Sequence, residues 1–222
     1  MKLDSRLMAI ASLVRKDKIF ADIGTDHAYL PVYLIEKGIV NKAIASDLRK
    51  GPLENAKFAV ESYNYYDKIE LRLSDGLDSF KDNEVNEIAI AGMGGLLISS
   101  FIERTTWLKN SDIHLILQPM THVEELRKAL FDNGFIIDNE VVAEDDDKLY
   151  IIVSAYYYGD ATAYTELDLI LGRLPLNQDN LSRKYLSKIY EKYNKKLVAL
   201  KKANKDCKDL EKIVGELSKW QQ

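Results

Sequence analysis

Cysteine is almost missing from this chain: its 222 residues contain only Cys207. No disulfide framework can form, so nothing points to an oxidising compartment. Cys207 lies in a lysine-rich helical pattern and reads as a small buried side chain. Histidine is nearly as scarce, with only His27, His114 and His122. Without a cysteine pair to join them, no metal site is expected. Long apolar runs are absent too, which excludes a membrane-spanning helix. The start, Met1-Lys2-Leu3-Asp4-Ser5-Arg6, leads into no secretion-type segment. The expected location is therefore the cytoplasm, with no membrane partner. No internal repeat or low-complexity stretch interrupts the chain.

What is present is unevenly charged. The net charge is -4, yet residues 160–222 hold 13 basic against 9 acidic residues, and the remainder 18 against 26. Between positions 183 and 205 there are nine basic residues and one acid, Glu191. The two parts of the chain face different partners.

The first 158 residues alternate strand and helix patterns. Apolar runs at 19–23, 43–46, 69–73, 88–91 and 113–117 are short and bounded by charged or turn residues. Runs apolar on both faces suit parallel strands covered on both sides. Helical stretches lie between them at 29–37, from Gly51-Pro52 onward, at 96–108 and at 123–133, two of them stopped by Gly38 and Gly134. Two further strand patterns, 135–143 and 149–157, are joined by an acidic connector and predict an antiparallel hairpin. Beyond Gly159 the pattern is helical. Leu186, Tyr190, Tyr193, Leu197 and Leu200 form a heptad-like stripe on a helix over 182–203, about 33 Å long at roughly 1.5 Å per residue. Asn204-Lys205-Asp206 is a turn, and Leu210, Val214 and Leu217 continue the stripe on a second helix.

The stretch Phe20-Ala21-Asp22-Ile23-Gly24-Thr25-Asp26-His27-Ala28 reads as a buried strand running into a glycine turn that opens a helix. Acids flank the glycine. A phosphate-binding loop offers backbone N–H groups and lysine instead. The expected ligand carries an amine, hydroxyls or a cationic centre, and S-adenosylmethionine fits. The later strand ends carry Ser46-Asp47, Ser74-Asp75-Gly76, Ala91-Gly92-Met93-Gly94-Gly95 and Gln118-Pro119-Met120. In an open α/β sheet the ligand sits beyond such carboxyl ends, and an acid after the second strand commonly binds ribose hydroxyls. The second and third glycines of the dinucleotide pattern are replaced by Asp26 and Ala28, which argues against a nicotinamide cofactor.

Taken in order, Asp-Ile-Gly-Thr-Asp-His-Ala-Tyr-Leu-Pro at 22–31, Ala45-Ser46-Asp47 with Gly51-Pro52-Leu53, Ser74-Asp75-Gly76-Leu77, Ile90 to Gly95 and Leu115 to Pro119 resemble the bacterial TrmK-type tRNA methyltransferase family. The resemblance covers nearly all of residues 1–158; the tail is similar only in character. It implies a class I methyltransferase sheet, parallel strands closed by an antiparallel hairpin, in a methyltransferase domain over 1–158. A helical coiled-coil domain over 159–222 would bind tRNA. It implies methyl transfer from S-adenosylmethionine to N1 of adenine 22.

Carried over by position, Gly24, Thr25, Asp26 and His27 would line the methionine part of the cofactor, and Asp22 belongs to the expected cofactor-binding set. Asp47, with Leu48 beside it, would hold the ribose, Asp75 and Gly76 the adenine, and Ala91, Gly92 and Met93 the sulfonium side. Asp26, His27 and Met93 are the candidates closest to the chemistry. His27 has an equal claim as a helix-start residue satisfied by backbone. Tyr29 could stack on the target base or pack on its own helix. Arg183, Lys184, Lys188, Lys192, Lys195 and Lys196 are expected on tRNA phosphates. The carbonyl–proline motif that holds an exocyclic amine is missing after the fourth strand, so a ring nitrogen is the better acceptor. A class I enzyme acting on a small molecule or protein, and a catalytically silent RNA-binding protein, are the competing readings. The oligomeric state stays open, with a monomer as default.

Overall fold

The computed structural model describes residues 1–177 and 179–220, and the chain divides into two units, Met1–Ala163 and Tyr164–Gln222. The first unit is built on a seven-stranded sheet: β1 (Ile19–Ile23), β2 (Lys42–Asp47), β3 (Ile69–Leu73), β4 (Glu87–Gly94), β5 (His114–Thr121), β6 (Phe135–Asp145) and β7 (Lys148–Tyr157). Their spatial order is β3-β2-β1-β4-β5-β7-β6. The first five strands are parallel, and β7 runs antiparallel between β5 and β6. The order reverses between β1 and β4, the place where an open α/β sheet leaves a crevice for a ligand. The mixed sheet expected from the sequence is the one observed.

Helices α1 (Ser5–Leu13), α2 (Tyr29–Glu36) and α3 (Lys50–Ser62) cover one face. Ile10, Leu30, Val32, Leu34, Ala56 and Val60 share a buried cluster there with Phe20, Ala43, Ala45, Ala89 and Ile116. On the other side α4 (Gly95–Arg104) and α5 (Val123–Asp132) pack on each other and on β4, β5 and β6. At the amino ends of the strands a polar chain closes the core. Arg15 pairs with the fully buried Glu87, whose Oε2 lies 2.8 Å from His114 Nδ1. His114 Nε2 is 2.7 Å from Ser154 Oγ, which donates to Asp138 at 2.7 Å. Arg127 and Glu140, 1% and 0% exposed, form a second buried pair at 2.8 Å.

Three expectations are corrected. Helix α1 was not anticipated from the sequence. It begins where Asp4 accepts the Leu7 N–H at 2.6 Å. The single helix expected over 96–108 ends at Arg104, and a 3-10 turn, Thr106–Leu108, follows the β-branched Thr105, which resists helical continuation. The connector of the β6–β7 hairpin shrinks to Asp146-Asp147, both left-handed at φ 46 and 59, the backbone of a type I′ two-residue turn.

The second unit holds α6 (Glu166–Leu171), α7 (Asn180–Lys202) and α8 (Lys208–Leu217). Helix α6 opens with a Thr165–Asp168 capping box. Leu186, Tyr193 and Leu197 of α7 and Leu210, Ile213, Val214 and Leu217 of α8 are buried, and the two helices pack together. Lys201 bridges to Glu211 across the turn at 2.7 Å. Cys207 is half-buried at the N-cap of α8 and not inside a helix, because the left-handed Asn204 at φ 50 turns the chain before it. Arg183, Lys184, Lys188, Lys192, Lys195 and Lys196 all lie on α7, with Arg183, Lys184, Lys192, Lys195 and the rest of this basic set spread along its length.

Candidate active site

Strand β1 ends in a tight turn. Gly24 takes φ +78, and a side chain there would run into the Met93 Cε methyl. The N–H groups of Gly24 and Thr25 both donate to the Ser46 carbonyl at 2.8 Å. The Ala28 N–H donates to Thr25 Oγ1 at 3.0 Å, and Ala28, left-handed at φ 53, starts α2. Three backbone donors of the turn, those of Gly24, Thr25 and Ala28, are thus committed within the fold.

Around this turn lies a cleft of about 380 Å³. It brings together Asp22, Gly24, Thr25, Asp26, His27, Tyr29, Ala91 and Gly92 from the sequence-derived set, and adds Asp4, Arg6 and Leu7 from the start of α1. Asp22 is 8% exposed. Burial pushes its carboxyl up to about 6 from the usual 3.8, against the Thr25 hydroxyl bond and the Arg6 charge, which both lower it. Asp26 is exposed, with a carboxylate oxygen 3.3 Å from His27 Nε2. The His27 ring stacks on Tyr29, with centroids 4.9 Å apart and planes 11° apart.

The β4 end does not open into a loop. After Ala91↔Gln118 the pairing with β5 shifts register and resumes at Met93↔Pro119 and Gly94↔Thr121. Gly92, at φ +75, donates its N–H to Gln118 Oε1 at 3.1 Å. The same oxygen accepts from Arg6 Nη1 at 2.9 Å.

The remaining sequence-derived residues stand at neighbouring strand ends, outside the lining of this cleft. Asp47 Oδ1 accepts the Arg49 N–H at 2.7 Å, and Leu48 beside it is 62% exposed. Asp75 is gripped by Arg104 at 3.2 Å, as is Asp78. Gly76, at φ +54, is required by packing: a Cβ there would sit 2.6 Å from the Phe101 ring. Met93 is half-buried against Gly24. The residue missed by sequence reasoning is Arg6. Its only signal was the Asp4-Ser5-Arg6-Leu7 helix start, which says nothing about where the side chain reaches.

A cleft with acids over the carboxyl ends of a β3-β2-β1-β4-β5-β7-β6 sheet defines a class, the Rossmann-like methyltransferases. Residues 3–153 match the family model described as a methyltransferase domain. The Bacillus subtilis (strain 168) tRNA (adenine(22)-N(1))-methyltransferase is 36% identical over 174 residues, covering 78% of this chain and 73% of that protein. The Streptococcus pneumoniae protein Sp1610, solved with S-adenosyl-L-methionine, is 30% identical with a TM-score of 0.84 and full coverage of both chains. TrmK of M. capricolum, solved with S-adenosyl-homocysteine, is 26% identical with a TM-score of 0.78, covering 99% of this chain and 96% of that one. This chain belongs to the methyltransferase-domain family, and within it to the tRNA (adenine(22)-N(1))-methyltransferase family.

Proposed function

We propose that this chain uses S-adenosylmethionine to methylate N1 of adenine 22 in tRNA by direct in-line displacement. The observation that carries the proposal is the cleft at Gly24, lined by Asp22 and Asp26 and with the Gly24 and Thr25 N–H groups already bound to the Ser46 carbonyl. That donor set fits a ligand with an ammonium, a diol and a sulfonium. Bound relatives support the same cofactor, since Sp1610 was solved with S-adenosyl-L-methionine and M. capricolum TrmK with S-adenosyl-homocysteine.

The cofactor supplies a methyl group activated by the sulfonium. The chain's residues bind and orient. Asp22, Gly24 and Thr25 take the methionine end, Asp47 and Leu48 the ribose, and Asp75 and Gly76 the adenine. Ala91, Gly92 and Met93 border the sulfonium. Adenine N1 carries no proton at neutral pH, so alignment supplies most of the acceleration and no general base is needed. The paired β4–β5 extension presents no carbonyl–proline clamp for an exocyclic amine, which favours the ring nitrogen. The methylated base is cationic, and Asp26 offsets that charge at the rim. Reaching N1 requires exposing the base, with the His27–Tyr29 stack at the cleft mouth as its landing surface.

The basic residues of α7, from Arg183 to Lys196, contribute sequence-independent phosphate contacts that weaken with salt. The test is incubation with unmodified tRNA and S-adenosylmethionine, followed by mass-spectrometric mapping. One methyl on adenine 22 is expected; methylation elsewhere, or none, would refute the assignment.

A further inference from the structure

At the amino ends of the parallel strands, away from the cleft, a larger cavity of about 680 Å³ opens within the first unit, between the segments that precede β4 and β5 and the one that ends β7. The eight residues of β4 set the two ends of the sheet about 25 Å apart at roughly 3.3 Å per residue. Asp82, Asn83, Trp107, Lys109, Asn110 and Tyr158 stand in its lining. Its walls are fixed. Trp107 sits on the 3-10 turn Thr106–Leu108, anchored by the fully buried Leu108. The Lys109 N–H donates to the Thr106 carbonyl at 3.1 Å, and the Tyr158 N–H to the Gly134 carbonyl at 2.9 Å. Asn110 Oδ1 accepts the Asp112 N–H at 3.0 Å, and Asn110 Nδ2 donates to Asn83 Oδ1 at 3.2 Å, tying two walls together.

The functional groups on these walls are open. Among the described residues, the side chains of Asp82, Trp107, Lys109 and Tyr158 make no hydrogen bond, ion pair or ring contact. Asn83 keeps both amide N–H donors, because only its oxygen is engaged. Unengaged aromatic faces, in-plane donors and one lysine are the equipment that holds an unstacked nucleotide: the base stacks on the rings, polar side chains read its edge, and the cation meets its phosphate. The donors of Asn83 and Trp107 suit an edge of acceptors, guanine O6 and N7, and the Asp82 carboxylate suits the guanine ring N–H and amino group. Adenine puts an amino donor where guanine has O6 and carries no ring N–H, so it matches this set poorly.

We infer that this cavity is a guanine-nucleotide site, separate from the cleft. The base lies against Trp107 and Tyr158, Asp82 and Asn83 read its edge, and Lys109 meets the phosphate. A free guanine nucleotide and an unpaired guanosine of bound RNA carry the same chemistry, and the test separates them.

The test is calorimetric titration of the full chain with GMP and AMP, with S-adenosylhomocysteine in excess so that neither nucleotide reports on the cleft. One GMP should bind per chain, and AMP roughly tenfold more weakly or worse, the range expected of charged hydrogen bonds to the base edge. Trp107→Ala and Tyr158→Ala should each weaken GMP roughly 5- to 100-fold, the loss of one stacking surface. Tyr158 is 71% exposed, so its variant reports even if Trp107→Ala folds poorly. Asp82→Asn should bring the GMP-to-AMP ratio towards one, and that ratio is internal to one protein. No binding of GMP, AMP bound as tightly as GMP, or GMP affinity indifferent to both ring variants overturns the inference. Binding of labelled unmodified tRNA, measured by anisotropy with and without saturating GMP, then identifies the source. Competition by GMP, with weaker tRNA binding in Tyr158→Ala, assigns the site to a guanosine of the RNA; tRNA binding that ignores both assigns it to free nucleotide. If tRNA does not bind at all, the function proposed above fails while the GMP titration still decides this site.

Discussion

Replacing Asp22 by asparagine should stabilise the folded chain while weakening its grip on the cofactor. In the folded state the Asp22 carboxyl titrates at about 6, and its ordinary value is 3.8. Burial is the cause, since it disfavours the charged form. Between those two values the unfolded chain has released a proton that the folded chain retains, so native stability falls as pH rises through this window. Above about 6 the deficit is complete. At roughly 1.4 kcal/mol per pH unit it reaches about 3 kcal/mol, an upper figure because local relaxation lets water share the charge. Asparagine carries no such charge, and its carbonyl can still accept the Thr25 hydroxyl. Asp22→Asn should therefore gain up to about 3 kcal/mol at pH 8, shrinking to about half that at pH 5. Urea unfolding across this range, with an unchanged denaturant slope, measures it. Calorimetry should show S-adenosylhomocysteine bound roughly tenfold more weakly or worse, for want of an anion to meet the ammonium. A variant no more stable than the parent at pH 8, or one whose gain ignores pH, would refute the reasoning.

Gly24→Ala forces a left-handed backbone on alanine and displaces the Met93 methyl, so thermal unfolding should register a loss of about 1–2 kcal/mol and cofactor affinity should fall in parallel. Arg127→Met removes the guanidinium that pairs with the buried Glu140 carboxylate at 2.8 Å and should cost about 3–5 kcal/mol, whereas Arg127→Met with Glu140→Leu should recover most of it; chemical denaturation of both variants decides. Lys195→Gln with Lys196→Gln should weaken tRNA binding at low salt and flatten the plot of log affinity against log salt, by roughly 0.7–0.9 for each phosphate that is no longer neutralised. An unchanged slope would remove those two lysines from the interface.

The strands were legible because a parallel sheet buried on both faces needs runs such as Ile19–Ile23, which stand out against charged flanks. The hairpin was legible from Glu144 to Lys148, although both strands extend closer to the turn than composition suggests. Helix α1 was not, because Ser5–Leu13 mixes small and apolar residues with little contrast between faces. The Thr165-Glu166-Leu167-Asp168 capping box at α6 was a readable signal that went unused. At the site, Asp22, Gly24 and Asp26 could be found because turn chemistry is local. Arg6 could not, since its place depends on Gln118, more than a hundred residues away. Gly76 shows the converse: the resemblance assigned it to adenine, and its backbone also answers to the ring of Phe101.

The double hold of the Ser46 carbonyl on Gly24 and Thr25 has a temporal consequence. A turn whose donors are satisfied internally needs no arriving molecule to order it, so its shape is set once, when the chain folds. Exchange of spent for fresh cofactor then requires no remaking of these two hydrogen bonds. A slow step in the cycle is then expected where parts of the complex rearrange, and not at this turn.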